Sequence, residues 1–73
     1  MLMEFPPQVT SLGIAIRYLR EMRGYSLRRF ARELKVSAPF LFDLEHDRRN
    51  TVRLAEIARL LDVELDELKK FQQ

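Results

Sequence analysis

Apolar residues recur along this chain at three- and four-residue spacings, interrupted by short polar breaks, and that rhythm predicts helices. Leu12, Ile16 and Leu19 mark one inward face, with Ser11 placed as its N-cap and Gly24 as a stop after about Arg23. Leu27, Phe30, Ala31 and Leu34 mark a second face at i, i+3, i+4 and i+7. Ser37 is a cap for a third helix, 37–45, in which Pro39 suits the first turn and Leu41 and Leu44 face inward. Asn50 or Thr51 caps a fourth, whose apolar face is Leu54, Ile57, Ala58 and Leu61. A fifth, roughly 65–71, returns Leu65 and Leu68 to the core. Residues 1–10 read as a short extended arm, stiffened by Pro6 and Pro7. The predicted fold class is therefore all-α, a compact five-helix bundle with no repeats and no second domain.

The second and third helices are too tightly joined to lie antiparallel. They must cross steeply, as in a helix-turn-helix, and Ala31 suits the crossing because a larger side chain would hold the two apart. Further fragments follow the same order along the chain: Ile16-Arg17-x-Leu19-Arg20, Ser26-Leu27-x-x-x-Ala31, Val36-Ser37, Leu41-x-x-Leu44-Glu45, Leu54-x-x-Ile57-Ala58 and Val63-x-Leu65-x-x-Leu68. Through these the chain, from about 12 to 68, resembles the Cro/CI-type (XRE) helix-turn-helix family of phage repressors and bacterial regulators. The resemblance implies a lambda-repressor-like DNA-binding domain over 11–73. Its function would be transcription regulation, as a repressor, controller protein or antitoxin-type regulator, with helix 37–45 in the major groove of double-stranded DNA. It also implies an ion pair between Arg20 on the first helix and Glu45 at the end of the third.

Size and charge agree with that reading. A chain of 73 residues buries only about 60% of its unfolded surface, so its stability is marginal. There is no cysteine to add a disulfide or a thiolate metal site, which fits a reducing cytoplasm. No apolar run approaches a membrane span, and the opening Met1-Leu2-Met3-Glu4-Phe5 lacks the features of a signal peptide. The net charge of +2 conceals an asymmetry. From Arg17 to Arg59, ten Arg and one Lys face six acids, a net +5, whereas 60–73 carries −2. No nucleophile elbow, phosphate-cradling glycine loop or metal-ligand spacing is present, so neither an enzyme nor a cofactor nor a metal is expected.

The resemblance places base contacts in the first turn of the third helix and the next exposed turn, here Ala38, Pro39, Phe42 and Asp43. None makes the bidentate Arg–guanine or Gln–adenine pairing of the major groove. Ala38, Pro39 and Phe42 can pack on thymine methyls, and Asp43 can accept from cytosine N4. Phosphate contacts fall to Arg28 and Arg29 at the start of the second helix, Ser37, and the loop residues Arg48, Arg49 and Asn50. His46, the sole histidine, is expected as a cap or backbone contact. Asp43, Glu45 and Asp47 read as a salt-bridged surface cluster.

Four departures from the family pattern bear on these expectations. Lys35 and Asp47 occupy positions where the family carries glycine, so each is either left-handed or its turn differs. The loop 48–51 is about two residues shorter than the family's and has no proline, and the base-reading set is weak. One of Phe40 and Phe42 is expected in the core. The apolar 38–42 surface leaves a second function open, a protein–protein interaction module on the same fold. A homodimer is expected, with Val63, Leu65, Leu68 and Phe71 as its contact and 1–5 as an addition.

Overall fold

The computed structural model describes residues 4–51 and 53–72. Five helices follow in order: α1 Leu12–Met22, α2 Leu27–Leu34, α3 Ala38–Glu45, α4 Leu54–Leu61 and α5 Leu65–Lys69. None of them is long and apolar enough to cross a membrane. Three serines start helices, Ser11 and Ser37 as the spacing predicts and Ser26 in addition. Ser11, Ser26 and Ser37 each accept, through the hydroxyl, the N–H three residues on, from Ile14, Arg29 and Phe40 at 3.1–3.2 Å. The predicted inward faces converge on one core of Ile16, Leu19, Phe30, Ala31, Leu34, Leu41, Leu44, Leu54, Ile57, Ala58, Leu61 and Leu68.

Helix ends are closed by left-handed residues, of which Gly24 is the single glycine (φ 76°). Lys35 (φ 63°) and Asp47 (φ 60°) adopt the conformation that their positions require, and Asp62 (φ 59°) repeats it after α4. After α2 the Lys35 N–H returns to the Arg32 carbonyl and the Val36 N–H to that of Ala31, at 3.1 and 3.0 Å. These paired bonds satisfy carbonyls that the helix leaves open.

Five expectations need correction. α4 begins at Leu54, and neither Asn50 nor Thr51 caps it. The Thr51 hydroxyl accepts the Arg53 N–H two residues on (3.0 Å), a local turn that uses up its capping capacity. The segment after Met3 is not a free arm. Pro6–Val9 closes a turn, Val9 is buried, and Phe5 lies edge-on to both Tyr18 and Phe71 at centroid distances of 5.9 and 5.2 Å. Met1–Met3 lie outside the described residues. Neither Phe40 nor Phe42 joins the core, because Leu41 and Leu44 take the inward stripe and the two phenylalanines flank it. Finally, α5 ends at Lys69, and its Leu68 is fully buried within the monomer.

The remaining correction is the most consequential for the fold. Asp43, Glu45 and Asp47 are not one surface cluster. Glu45 is buried (4% exposed) and takes a two-pronged bond from Arg20 (7% exposed), Nε to Oε2 at 2.6 Å and Nη2 to Oε1 at 3.2 Å. The third guanidinium nitrogen donates to the Tyr25 carbonyl (2.8 Å). Asp47 instead reaches the start of α1, where Oδ1 accepts the Gly13 N–H (2.9 Å) and Oδ2 the Ser11 hydroxyl (2.5 Å). It satisfies an amide that α1 cannot satisfy itself. Gly13 is required for this approach, since a Cβ there would lie 2.6–2.7 Å from the Leu44 and Glu45 carbonyls and from Asp47 Oδ1.

Three stability outcomes follow, each read by chemical denaturation. Gly13→Ala destabilises by about 2 kcal/mol or more, because two of the three blocking atoms are backbone. Lys35→Gly is neutral or stabilising by a few tenths of a kcal/mol, relief of the left-handed strain offsetting glycine's greater freedom when unfolded. A loss above about 1 kcal/mol would contradict that account of the turn. Glu45→Ala destabilises by about 3–5 kcal/mol by stranding the Arg20 charge, whereas replacing both partners, Arg20→Met with Glu45→Leu, recovers most of the loss.

Candidate nucleic-acid interface

The turn between α2 and α3 consists of Lys35, Val36 and Ser37. Left-handed Lys35 reverses the chain, Val36 packs on the core, and Ser37 starts the next helix, so the axis of α3 is set within three residues. With Leu41, Leu44 and Glu45 held inward, the opposite side of α3 is left to solvent. That side presents Pro39 and Phe42, the latter 42% exposed, with Ala38 and Asp43 partly covered. Ala38 also touches the core, which limits its reach into a groove.

Phe42 sits in a small ordered group. The His46 ring stacks on it (centroids 4.0 Å, planes 24° apart), and His46 Nδ1 lies 2.8 Å from the Phe42 carbonyl. The histidine is thus a backbone contact at the helix end, as expected. Arg48 completes the group, with Nη1 3.6 Å from Asp43 Oδ1 and its guanidinium 5.9 Å from the Phe42 ring centre. Asp43 is therefore accompanied by a cation, which lessens its repulsion of phosphate. A hollow of about 260 Å³ lies beside this group, lined by Arg17, Arg20, Leu27, Phe42, Glu45 and His46.

The phosphate candidates fall in two places. Arg28 and Arg29 are exposed in the first turn of α2, Arg29 with its guanidinium 5.1 Å from the Tyr25 ring centre. Arg48, Arg49 and Asn50 are exposed on the loop after α3, Arg49 likewise 5.1 Å from Phe40. Stacked on aromatic faces, these guanidinium groups lose less freedom on meeting an anion than unsupported ones. Ser37 is exposed, but its hydroxyl is engaged with the Phe40 N–H.

Arg53 emerges only in the structure. Its Nη2 donates to the Leu34 carbonyl (2.6 Å) and it pairs with Glu56 (2.6 Å), tying the end of the arginine loop to the end of α2. The nineteen-residue separation gives no sequence signal for such a bond. The capping role of Asp47 had a faint one, because the first turn of α1 has no acid of its own.

No curated protein and no solved structure matches the chain. A family model does, the helix-turn-helix model of the XRE/Cro-CI type, over residues 16–68, from α1 through α2, the turn and α3 to Leu68 in α5. That span contains the motif just described and both arginine groups, and members of this family are DNA-binding regulators rather than enzymes. With most of its length matched, and with the five-helix arrangement that the match entails, the chain belongs to the XRE/Cro-CI-type helix-turn-helix family of DNA-binding proteins.

Proposed function

We propose that this protein is a transcription regulator, a repressor, controller protein or antitoxin-type regulator, that lays α3 in the major groove and gains most of its affinity from phosphate. The observation that carries this reading is the surface of α3 and its surroundings. The first turns offer an alanine, a proline, a phenylalanine and one carboxylate that already has an arginine partner, while both flanks offer exposed arginines. Contacts to phosphate position a protein on the duplex, and contacts to base edges give it sequence preference. The first kind is abundant here and the second sparse.

Arg28 and Arg29 stand at the start of α2, whose first amides also attract an anion, and Arg48, Arg49 and Asn50 lie along the neighbouring strand. Ser37 contributes its place beside the groove. Base selectivity then rests on thymine methyls against Pro39, Phe42 and Ala38, on Asp43 as an acceptor for cytosine, and on the shape of the duplex.

A recognition helix with so few base contacts gains by pairing two half-sites, and we assign the active species as a two-fold dimer on DNA. Half-buried Val63 and Leu65 remain as the contact, beside a groove of about 270 Å³ between α4 and α5 lined by Leu54, Ala55, Leu65 and Lys69. Leu68 drops out because the monomer buries it, and Phe71 is largely engaged with Phe5. Recognition helices about 34 Å apart favour an inverted repeat.

Exposed Phe42 favours one other reading, a protein partner on the 38–42 surface. Titration with mixed-sequence DNA at low salt separates the two. With about four phosphates neutralised per monomer, the log–log dependence of affinity on salt has a slope of about −3.6, doubled in the dimer. Arg28→Ala with Arg29→Ala weakens all DNA sequences alike and flattens that slope. Affinity indifferent to salt, or no binding at low salt, would overturn the phosphate-dominated reading and leave the protein partner.

A further inference from the structure

The solvent side of α1 carries features that DNA binding does not use. Ile14, Tyr18 and Met22 recur at i, i+4 and i+8, one unbroken stripe along the helix. Ile14 is 37% exposed and Met22 66%, the most exposed of the large apolar side chains among the described residues. Arg17 and Glu21 run beside this stripe, paired to each other at 3.3 Å and both more than half exposed. A hollow of about 210 Å³ runs along this face, lined by Gln8, Val9, Ile14, Arg17, Tyr18 and Glu21.

We infer that this face of α1 binds the same face of a second copy of the chain, antiparallel about a two-fold axis passing at Tyr18. The arrangement is self-complementary in three respects. Turning the helix about that axis sets Met22 of each copy over Ile14 of the other, so the two exposed apolar side chains of each stripe cover one another. Tyr18 faces its own counterpart on the axis. Arg17 of each copy comes within two residues, about 3 Å along the axis, of both Glu21 and Arg17 of the other, so the contact sets two new attractions against one repulsion between the arginines. An isologous contact needs this kind of surface, in which each feature and its complement are exchanged by one rotation.

The contact is small. An eleven-residue helix is only about 17 Å long, and its face covers well under the roughly 800 Å² per partner of a stable interface. Association is therefore weak in free solution and strengthened where DNA holds copies at high local concentration. This contact is separate from the α4–α5 edge and does not rest on the DNA-binding proposal.

Sedimentation equilibrium up to millimolar concentration, without DNA, tests it. Wild type self-associates reversibly. Arg17→Glu alone and Glu21→Arg alone each associate ~tenfold or more weakly, because like charges then face across the axis. An equimolar mixture of the two variants recovers association, since one helix of the mixed pair carries two acids and the other two arginines, and they meet at both ends of the contact. Mixing cannot restore the pair within each helix, so recovery reports the contact between copies. Disulfide trapping gives the register, because the native chain has no cysteine. Tyr18→Cys cross-links to itself, and Ile14→Cys cross-links to Met22→Cys in preference to itself. A monomeric wild type at the highest concentration, association that ignores both charge changes, or a mixture no better than either variant would overturn the inference.

Discussion

A helix that is to read DNA, as proposed for α3, must leave its outer side open and can be held only from behind and from its ends. It has eight residues, and Leu41 and Leu44 are its fully buried apolar anchors in the core. The rest of the restraint comes from its C-terminal end, which is fastened to α1 three times within a few residues. Glu45 clasps Arg20, the Asp47 carboxylate caps the start of α1, and Gly13 lets the two backbones approach until no side chain fits between them. The α3 and loop parts of the proposed interface are positioned through this junction. The tilt of α3 sets where Phe42 and Asp43 point, and the left-handed turn at Asp47 sets where the arginine loop leaves the helix.

The same junction explains why a polar seam is used where an apolar one would hold more firmly. Two charges buried together contribute little net stability, but either one alone is severely penalised, so only one register of α1 on α3 is tolerated. Asp47 adds direction, because a carboxylate at a helix start is favoured there and not elsewhere along the helix. Left-handed helix ends work in the same sense. Lys35, Asp47 and Asp62 each carry a strain of about 1–2 kcal/mol relative to the right-handed region. In return, the paired carbonyl bonds stop each helix at a defined residue. In a chain this short, sharp helix ends matter more than long helices, since the turn between α2 and α3 has three residues in which to set an angle.

What the sequence disclosed, it disclosed through local physics. The caps Ser11 and Ser37 and the inward stripes of α1 to α4 follow from spacings of a few residues, and the structure has each of them. The left-handed turns at Lys35 and Asp47 and the Arg20–Glu45 pair were accessible only through the family resemblance, and the twenty-five-residue separation of that pair carries no periodicity linking its partners. Bonds that join distant segments without such a precedent stayed hidden. Asp47 to Gly13 and Arg53 to Leu34 are of this kind, and Thr51 was misassigned because its hydroxyl serves a local turn instead of a helix. The N-terminal segment, and Leu68 as a contact between copies, were misjudged for one reason. Apolar residues near chain ends read as spare, whereas a small domain folds them back to extend its core, as Phe5 does on Tyr18 and Phe71. At the candidate site, residue identities were legible but their mutual pairing was not.

That pairing changes what the recognition surface can do. An unpaired Asp43 would oppose every phosphate near it and act mainly to reject misplaced docking. Joined to Arg48, with Arg48 over Phe42 and His46 stacked behind, it becomes part of a local group whose charges largely offset. Such a group repels the backbone less than a lone carboxylate would and presents chiefly an aromatic surface. On the proposed reading, attraction comes from Arg28, Arg29, Arg48 and Arg49, which are indifferent to base identity. The proposed docking separates affinity from selectivity in space: the flanks would hold the duplex, and the centre would test whether its floor is apolar enough to accept Phe42. Selectivity of that kind is modest at one site, because a methyl contact discriminates less than a bidentate hydrogen bond. In the proposed dimer it multiplies, because two copies must both be accommodated, and assembly would then supply the specificity that one such recognition helix lacks.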